Sequence, residues 1–239
     1  MTVRETSIGG PRGGFQPTLW TLVSRARDTR STVARGAMND LIARYWKPVY
    51  VFVRRKGADI EEAKDLTQGF FTRVMEKDYL RAFDRTRGRF RTFLLTALQH
   101  YCANERDRER AIKRGGGRTL SLDFETAPEP AVHETPERAF QRRWALETID
   151  RALARLEGEF RKADRADHFE ALRSHLSAAG GAPSLRRIAE RIKTSEANVK
   201  VILHRARRRL REILRAEVAP TLDGADADDE LRCLLSALR

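Results

Sequence analysis

Cysteine is scarce in this chain of 239 residues, and its two copies set the first limits. Cys102 and Cys233 have no metal-ligand spacing and cannot build a disulfide framework, so a reducing, cytoplasmic setting is expected. No stretch stays apolar for the roughly 20 residues that a membrane-spanning helix needs. The first residues carry Arg4, Arg12 and glycines but no apolar segment, so no secretory signal is expected. Alternating apolar and polar runs are nearly absent, which argues against strands. Catalytic groupings are missing as well. His100, His133, His168, His175 and His204 fall in separate segments without metal or triad spacing. Neither a phosphate-cradling glycine loop nor a dinucleotide fingerprint occurs. No enzyme, no metal and no cofactor is expected.

Positive charge is what the chain has in excess. Its 47 lysines and arginines against 34 acidic residues leave a formal charge of +13, which favours a polyanionic partner. Apolar residues recur at i, i+3 and i+4 through most of the length, so the fold class is all-α.

The most informative stretch is Ser184 to Arg215. Ser184 can cap a short helix whose buried face is Leu185, Ile188, Ala189 and Ile192. Lys193-Thr194-Ser195 breaks the pattern, and Ser195 can cap a longer helix with Val199, Ile202, Leu203, Ala206, Leu210, Ile213 and Leu214 as its apolar stripe. The other faces of that helix hold Asn198, Lys200, His204, Arg205, Arg207, Arg208, Arg209 and Arg211. A short helix, a turn and a longer basic helix fit a helix-turn-helix whose second helix enters the major groove. A solvated basic face on an ordinary helical hairpin is the plainer reading. The arginine density favours DNA.

In chain order, residues 1–15 are rich in Gly, Ser, Thr and Pro and read as flexible. Helices are expected from Thr18 toward Arg30, from Ala37 to Arg55 with a kink at Pro48, and from Ile60 to Glu76. In the third of these Ala63, Leu66, Phe70, Phe71 and Val74 face inward, while Glu61, Glu62, Lys64, Asp65, Thr67 and Gln68 are expected on the exposed side. Acidic residues in a first turn also suit the helix dipole. Arg81 to Arg91 is a loop packing arginines around Phe83 and Phe90, and a fourth helix runs from Thr92 to about Lys113. Interleaved basic and aromatic side chains suit unpaired bases. Phe93 is read as core, and Phe90 is left open between the two uses. Thr119 to Glu137 is acidic, with three prolines and neither lysine nor arginine, as a solvated spacer or a mimic of nucleic acid would be. Further helices are expected from Pro136 through Leu156 and from His168 to Ala178, and the acidic tail closes on an amphipathic segment with Leu231, Leu234, Leu235 and Leu238.

Two basic helical units joined by an acidic linker resemble the extracytoplasmic-function type of bacterial RNA polymerase sigma factor. Glu61 to Val74 resembles the helix of sigma domain two that docks on the polymerase clamp. Gly88 to Ala111 resembles the segment that melts and reads the minus-ten element. Ser184 to Leu214, with its His204-Arg-Ala-Arg run, resembles the domain-four helix-turn-helix that reads the minus-thirty-five element. The resemblance implies a flexible N-terminus at 1–15, domain two at 16–115, the linker at 116–135, domain four at 136–218 and a tail at 219–239. It implies core RNA polymerase, at its clamp and flap, and promoter DNA as partners, with a Ser/Thr kinase or an anti-sigma factor as a further partner and no membrane.

Site residues follow from the same resemblance. Glu61, Glu62, Lys64, Asp65 and Gln68 would meet the polymerase. Phe83, Arg85, Arg87, Arg89, Phe90 and Arg91 would form the loop that captures an extruded base, at a cost of a few kcal/mol of stacking, with Gln99, Asn104 and Arg108 facing the strand. Glu196, Asn198, Lys200, His204, Arg205 and Arg208 would contact phosphates and base edges. Three departures stand out. Val201-Ile202 replaces a more polar pair, and Lys193 replaces the usual turn glycine, so the turn is expected to be built differently. Lys64 interrupts the acidic motif, and a phosphate on Thr67, or failing that Thr72, would cancel its charge. Tolerated drift at Lys64 explains the same residue equally well. The expected function is promoter recognition and melting by the polymerase-bound protein; the alternative is a stand-alone helix-turn-helix regulator.

Overall fold

The computed structural model describes residues 32–76, 89–112, 134–177, 182–219, 222 and 226–238. The helix expected at 18–30, the loop residues Phe83, Arg85 and Arg87, and nearly all of the acidic linker lie outside them. All regular structure among the described residues is helical: α1 Thr32–Arg55, α2 Ile60–Glu76, α3 Phe90–Ile112, α4 Pro136–Lys162, α5 Ala166–Leu176, α6 Leu185–Arg191, α7 Glu196–Val218 and α8 Ala227–Ser236. None of these helices is long and apolar enough to cross a membrane.

Local chemistry explains the boundaries. Helix α1 continues through Pro48, which sits buried inside it. A proline there removes one amide donor, and the buried Tyr45, Val49, Tyr50 and Phe52 around it hold the two halves of the helix in place. Gly57 then takes φ +97°, a conformation other side chains resist, and Asp59 Oδ1 accepts from the Glu62 amide at 2.9 Å to start α2. Thr135 caps α4 by accepting from the Arg138 amide, with Pro136 in the first turn, where its missing N–H costs nothing.

Among the described residues three apolar clusters hold the fold together. The largest joins Leu41 to Val53 of α1, Phe70, Phe71 and Val74 of α2, and Phe90, Leu94 and Leu98 of α3. The same cluster takes in Phe140, Trp144 and Ala145 of α4, Val218, Leu222, and Leu231 and Leu234 of α8. It is therefore built from both sides of the acidic stretch. Burying each large side chain of this set contributes about 2 kcal/mol. A second cluster packs Ala152, Leu153 and Leu156 of α4 on Phe169, Leu210 and Ile213. A third closes α5, α6 and α7 around Leu172, Ile188, Val199 and Leu203.

Two ion pairs and a side-chain to main-chain hydrogen bond tie α1 to α4, to the residue before the α4 cap and to α7. Arg44 reaches Glu217 at 2.8 Å, Lys47 reaches Glu147 at 3.2 Å, and Arg55 Nε donates to the Glu134 carbonyl at 2.7 Å. Helix α4 carries residues of the first two clusters along one rod of about 40 Å.

Candidate nucleic-acid interface

The helix-turn-helix forms as its caps require. Ser184 Oγ accepts from the Arg187 amide at 3.3 Å and Ser195 Oγ from the Asn198 amide at 3.2 Å. Between the two helices the chain turns at Lys193, which takes φ 52°. The turn is thus the left-handed one that glycine would adopt without strain, made here with a lysine. Thr194 N donates back to the Ala189 carbonyl at 2.9 Å, and Asn198 Nδ2 donates to Thr194 Oγ1 at 2.8 Å. Val199, Leu203 and Ala206 are buried, which fixes the roll of α7 and turns its polar residues outward.

Asn198, Lys200, His204, Arg205, Arg207, Arg208 and Arg211 are all exposed on α7, as is Glu196 at its start. Lys200 and Arg205 make no hydrogen bond or ion pair among the described residues, so their charge is available to an outside anion. Others are partly engaged. Arg208 lies 3.6 Å from Glu212, and Arg207 donates to the His175 carbonyl at 3.2 Å. Arg209 is bound bidentately by Glu159 of α4 at 2.7 and 2.8 Å, which raises its already high pKa and holds Glu159 below the usual carboxylate range. Val201 stands exposed among the cations, while Ile202 turns in toward a shallow apolar groove of about 250 Å³ between α4 and α7.

The acidic surface of α2 is smaller than the sequence suggested. Glu61, Glu62 and Asp65 are exposed, and Lys64 Nζ donates to Glu61 Oε1 at 2.9 Å. Thr67 and Gln68, expected on that surface, are buried at 0% and 8% exposure. Ala63, Thr67, Phe70 and Val74 share one helical face, and this face meets the core. Thr67 Oγ1 donates to the Ala63 carbonyl at 2.6 Å, so the hydroxyl favoured for phosphorylation points inward and is already used. Thr72 is half-buried.

At the start of α3 the expected strand-facing residues diverge. Phe90 is core, edge-on to Tyr45 at 5.5 Å, which settles the choice left open for it, and Phe93 is half-buried against the same cluster. Arg91 is buried as well. Its guanidinium lies 4.7 Å from the Trp144 ring centroid, donates to Gln141 and pairs with Glu230 at 2.6 Å. Arg89 pairs with the same carboxylate at 2.8 Å and donates to Cys233 Sγ at 2.7 Å. Gln99 donates to Glu137 at 3.0 Å. Asn104 and Arg108 remain exposed, Arg108 lying 3.7 Å from Glu105. Arg91 therefore presents no free face to a strand.

Glu230 is the residue that the sequence did not single out. It is 1% exposed and lies at the end of the acidic run Asp228-Asp229-Glu230, the one local sign of its role. Among the described residues no cluster of His, Cys, Asp and Glu could hold a metal ion.

No family model matches the chain, and comparison with curated proteins and with solved structures found no match either.

Proposed function

We propose that this chain is a transcription initiation factor of the extracytoplasmic-function sigma type, binding core RNA polymerase and directing it to promoters. The observation that carries the reading is the helix-turn-helix α6–α7, whose second helix turns Asn198, Lys200, His204, Arg205 and Arg208 to solvent on a buried apolar stripe. Phosphates would be held by the cations and base edges read from Asn198, Lys200 and Arg205. The exposed carboxylates Glu61, Glu62 and Asp65 supply an acidic patch for a basic polymerase surface. A threonine switch at Thr67 forms no part of this reading, because its hydroxyl is sealed in the core.

The test is run-off transcription with purified core enzyme, beside a direct measurement of core binding. Promoter-dependent transcripts and a stable complex are expected. A chain that never associates with core enzyme at low salt would overturn the reading.

One observation favours the alternative, a stand-alone helix-turn-helix regulator. A duplex-only binder has no use for free residues at the start of α3, and Phe90 and Arg91 are both buried there. Tight, sequence-selective binding to a duplex operator without polymerase would select that reading.

A further inference from the structure

Three arginines from distant parts of the chain converge on one turn of α8. Arg89 and Arg91, at the start of α3, hold Glu230, and Arg215, near the end of α7, holds Asp228 bidentately, Nε donating to Oδ1 at 2.9 Å and Nη2 to Oδ2 at 2.7 Å. Asp226 caps the same turn by accepting from the Asp228 amide at 2.9 Å. No basic residue interrupts the chain between Arg215 and Arg232, and although Arg232 pairs with Asp229, Asp228 and Glu230 turn their charge to the three guanidinium groups. Guanidinium groups that bind paired carboxylates bidentately are equally suited to phosphates.

We propose that the acidic first turn of α8 is an internal stand-in for a nucleic-acid strand, competing with that strand for Arg89, Arg91 and Arg215. This rests on the nucleic-acid reading above and adds a partner surface to it: the basic ground under α8 formed by Arg89, Arg91 and Arg215.

Helix α8 has the properties that an exchangeable occupant needs. At ten residues it is too short to persist alone and depends on docking through Leu231 and Leu234. Half of its grip is exposed to solvent and hence to salt, because Arg215 and Asp228 have side-chain exposures of 45% and 44%. Displacing it uncovers Leu231 and Leu234, so a single phosphate would not suffice. A strand that engages all three arginines at once would.

The experiment uses the full-length chain and a fluorescently labelled single-stranded oligonucleotide, read by anisotropy at low and moderate salt. The double variant Asp228→Asn/Glu230→Gln is expected to bind about tenfold tighter than wild type, since the competing anion is removed while the arginines remain. A charge-matched control, Asp40→Asn/Asp150→Asn, sheds two exposed acids on α1 and α4, neither of which touches the three arginines, and is expected to gain far less. Equal gains in both variants, or none in the tail variant, would overturn the inference. Wild-type protein supplies a second readout that needs no variant to fold. Cys233 lies on α8 against Arg89, so saturating oligonucleotide is expected to speed its modification by a thiol reagent at least fivefold. An unchanged rate in the bound complex would overturn the inference while leaving nucleic-acid binding itself intact. If no oligonucleotide or duplex binds any form at low salt, the nucleic-acid reading falls and this inference with it.

Discussion

The hydroxyl of Tyr101 occupies the space that a β-carbon on Gly69 would need. Gly69 lies within α2 and Tyr101 within α3, so the absence of a side chain on one helix lets the ring of the other close on Phe70 at 5.6 Å between centroids. Gly69→Ala is expected to destabilise the fold by about 1–3 kcal/mol through overpacking. Tyr101→Phe removes the clashing oxygen. In that background Gly69→Ala is expected to be neutral or stabilising by up to about 1 kcal/mol, because alanine favours a helix interior. Thermal melts of the four proteins in the cycle decide the matter, and additive effects would refute it.

Lys193 carries a strained backbone at φ 52° in the turn between α6 and α7, and its side chain is exposed. A non-glycine residue in the left-handed region costs about 1 kcal/mol. Lys193→Gly is expected to raise stability by about that amount in urea titration. On the function proposed above it should also weaken non-specific DNA binding slightly by removing one charge.

Thr67→Glu places a carboxylate where the structure has a fully buried hydroxyl. Loss of about 3 kcal/mol or more, or failure to fold, is expected. Thr67→Val gives up the bond to Ala63 and keeps the volume, so a cost near 1 kcal/mol is expected. Thermal melts of both variants check this. A stable, well-folded glutamate variant would show that the hydroxyl is reachable after all.

The Cys102 thiol is pushed up to about 11, chiefly by burial, against the lowering influence of Arg106 and Lys56. Folding thus favours its protonated form. Its contribution is intact below the ordinary thiol range and is lost as pH rises toward about 11. At pH 8 only on the order of one such thiol in a thousand is ionised, so native Cys102 should resist alkylation until the chain is unfolded. Mass spectrometry after a short pulse of iodoacetamide, with and without denaturant, measures this.

Local signals were legible where one residue type dictates one geometry. Ser184 and Ser195 both cap as their positions imply, and α2 spans the residues that its apolar spacing assigns. Thr67 was misplaced because its polar neighbours outweighed the spacing of Ala63, Phe70 and Val74, which puts it inward. Lys193 turned the way that glycine does because Ile188, Ala189 and Val199 must all bury, and burial outweighs the strain at one residue. The clasp of Arg89 and Arg91 by Glu230 had only the acidic run Asp228-Asp229-Glu230 as a local signal, and that run names no partner. Those partners are more than a hundred residues apart, and only the folded chain brings buried charge of both signs together.

Helix α4 anchors Phe140 and Trp144 in one cluster and Leu153 and Leu156 in another. An α-helix advances about 1.5 Å and rotates about 100° per residue, so the two ends of the protein keep a fixed distance and a fixed bearing. One residue inserted between Trp144 and Ala152 would turn the part of α4 that packs on α7 by more than a quarter turn relative to its first half. The spacing between whatever the two ends grip is in effect measured out by α4 together with α7, whose Val218 reaches the first cluster and Leu210 and Ile213 the second.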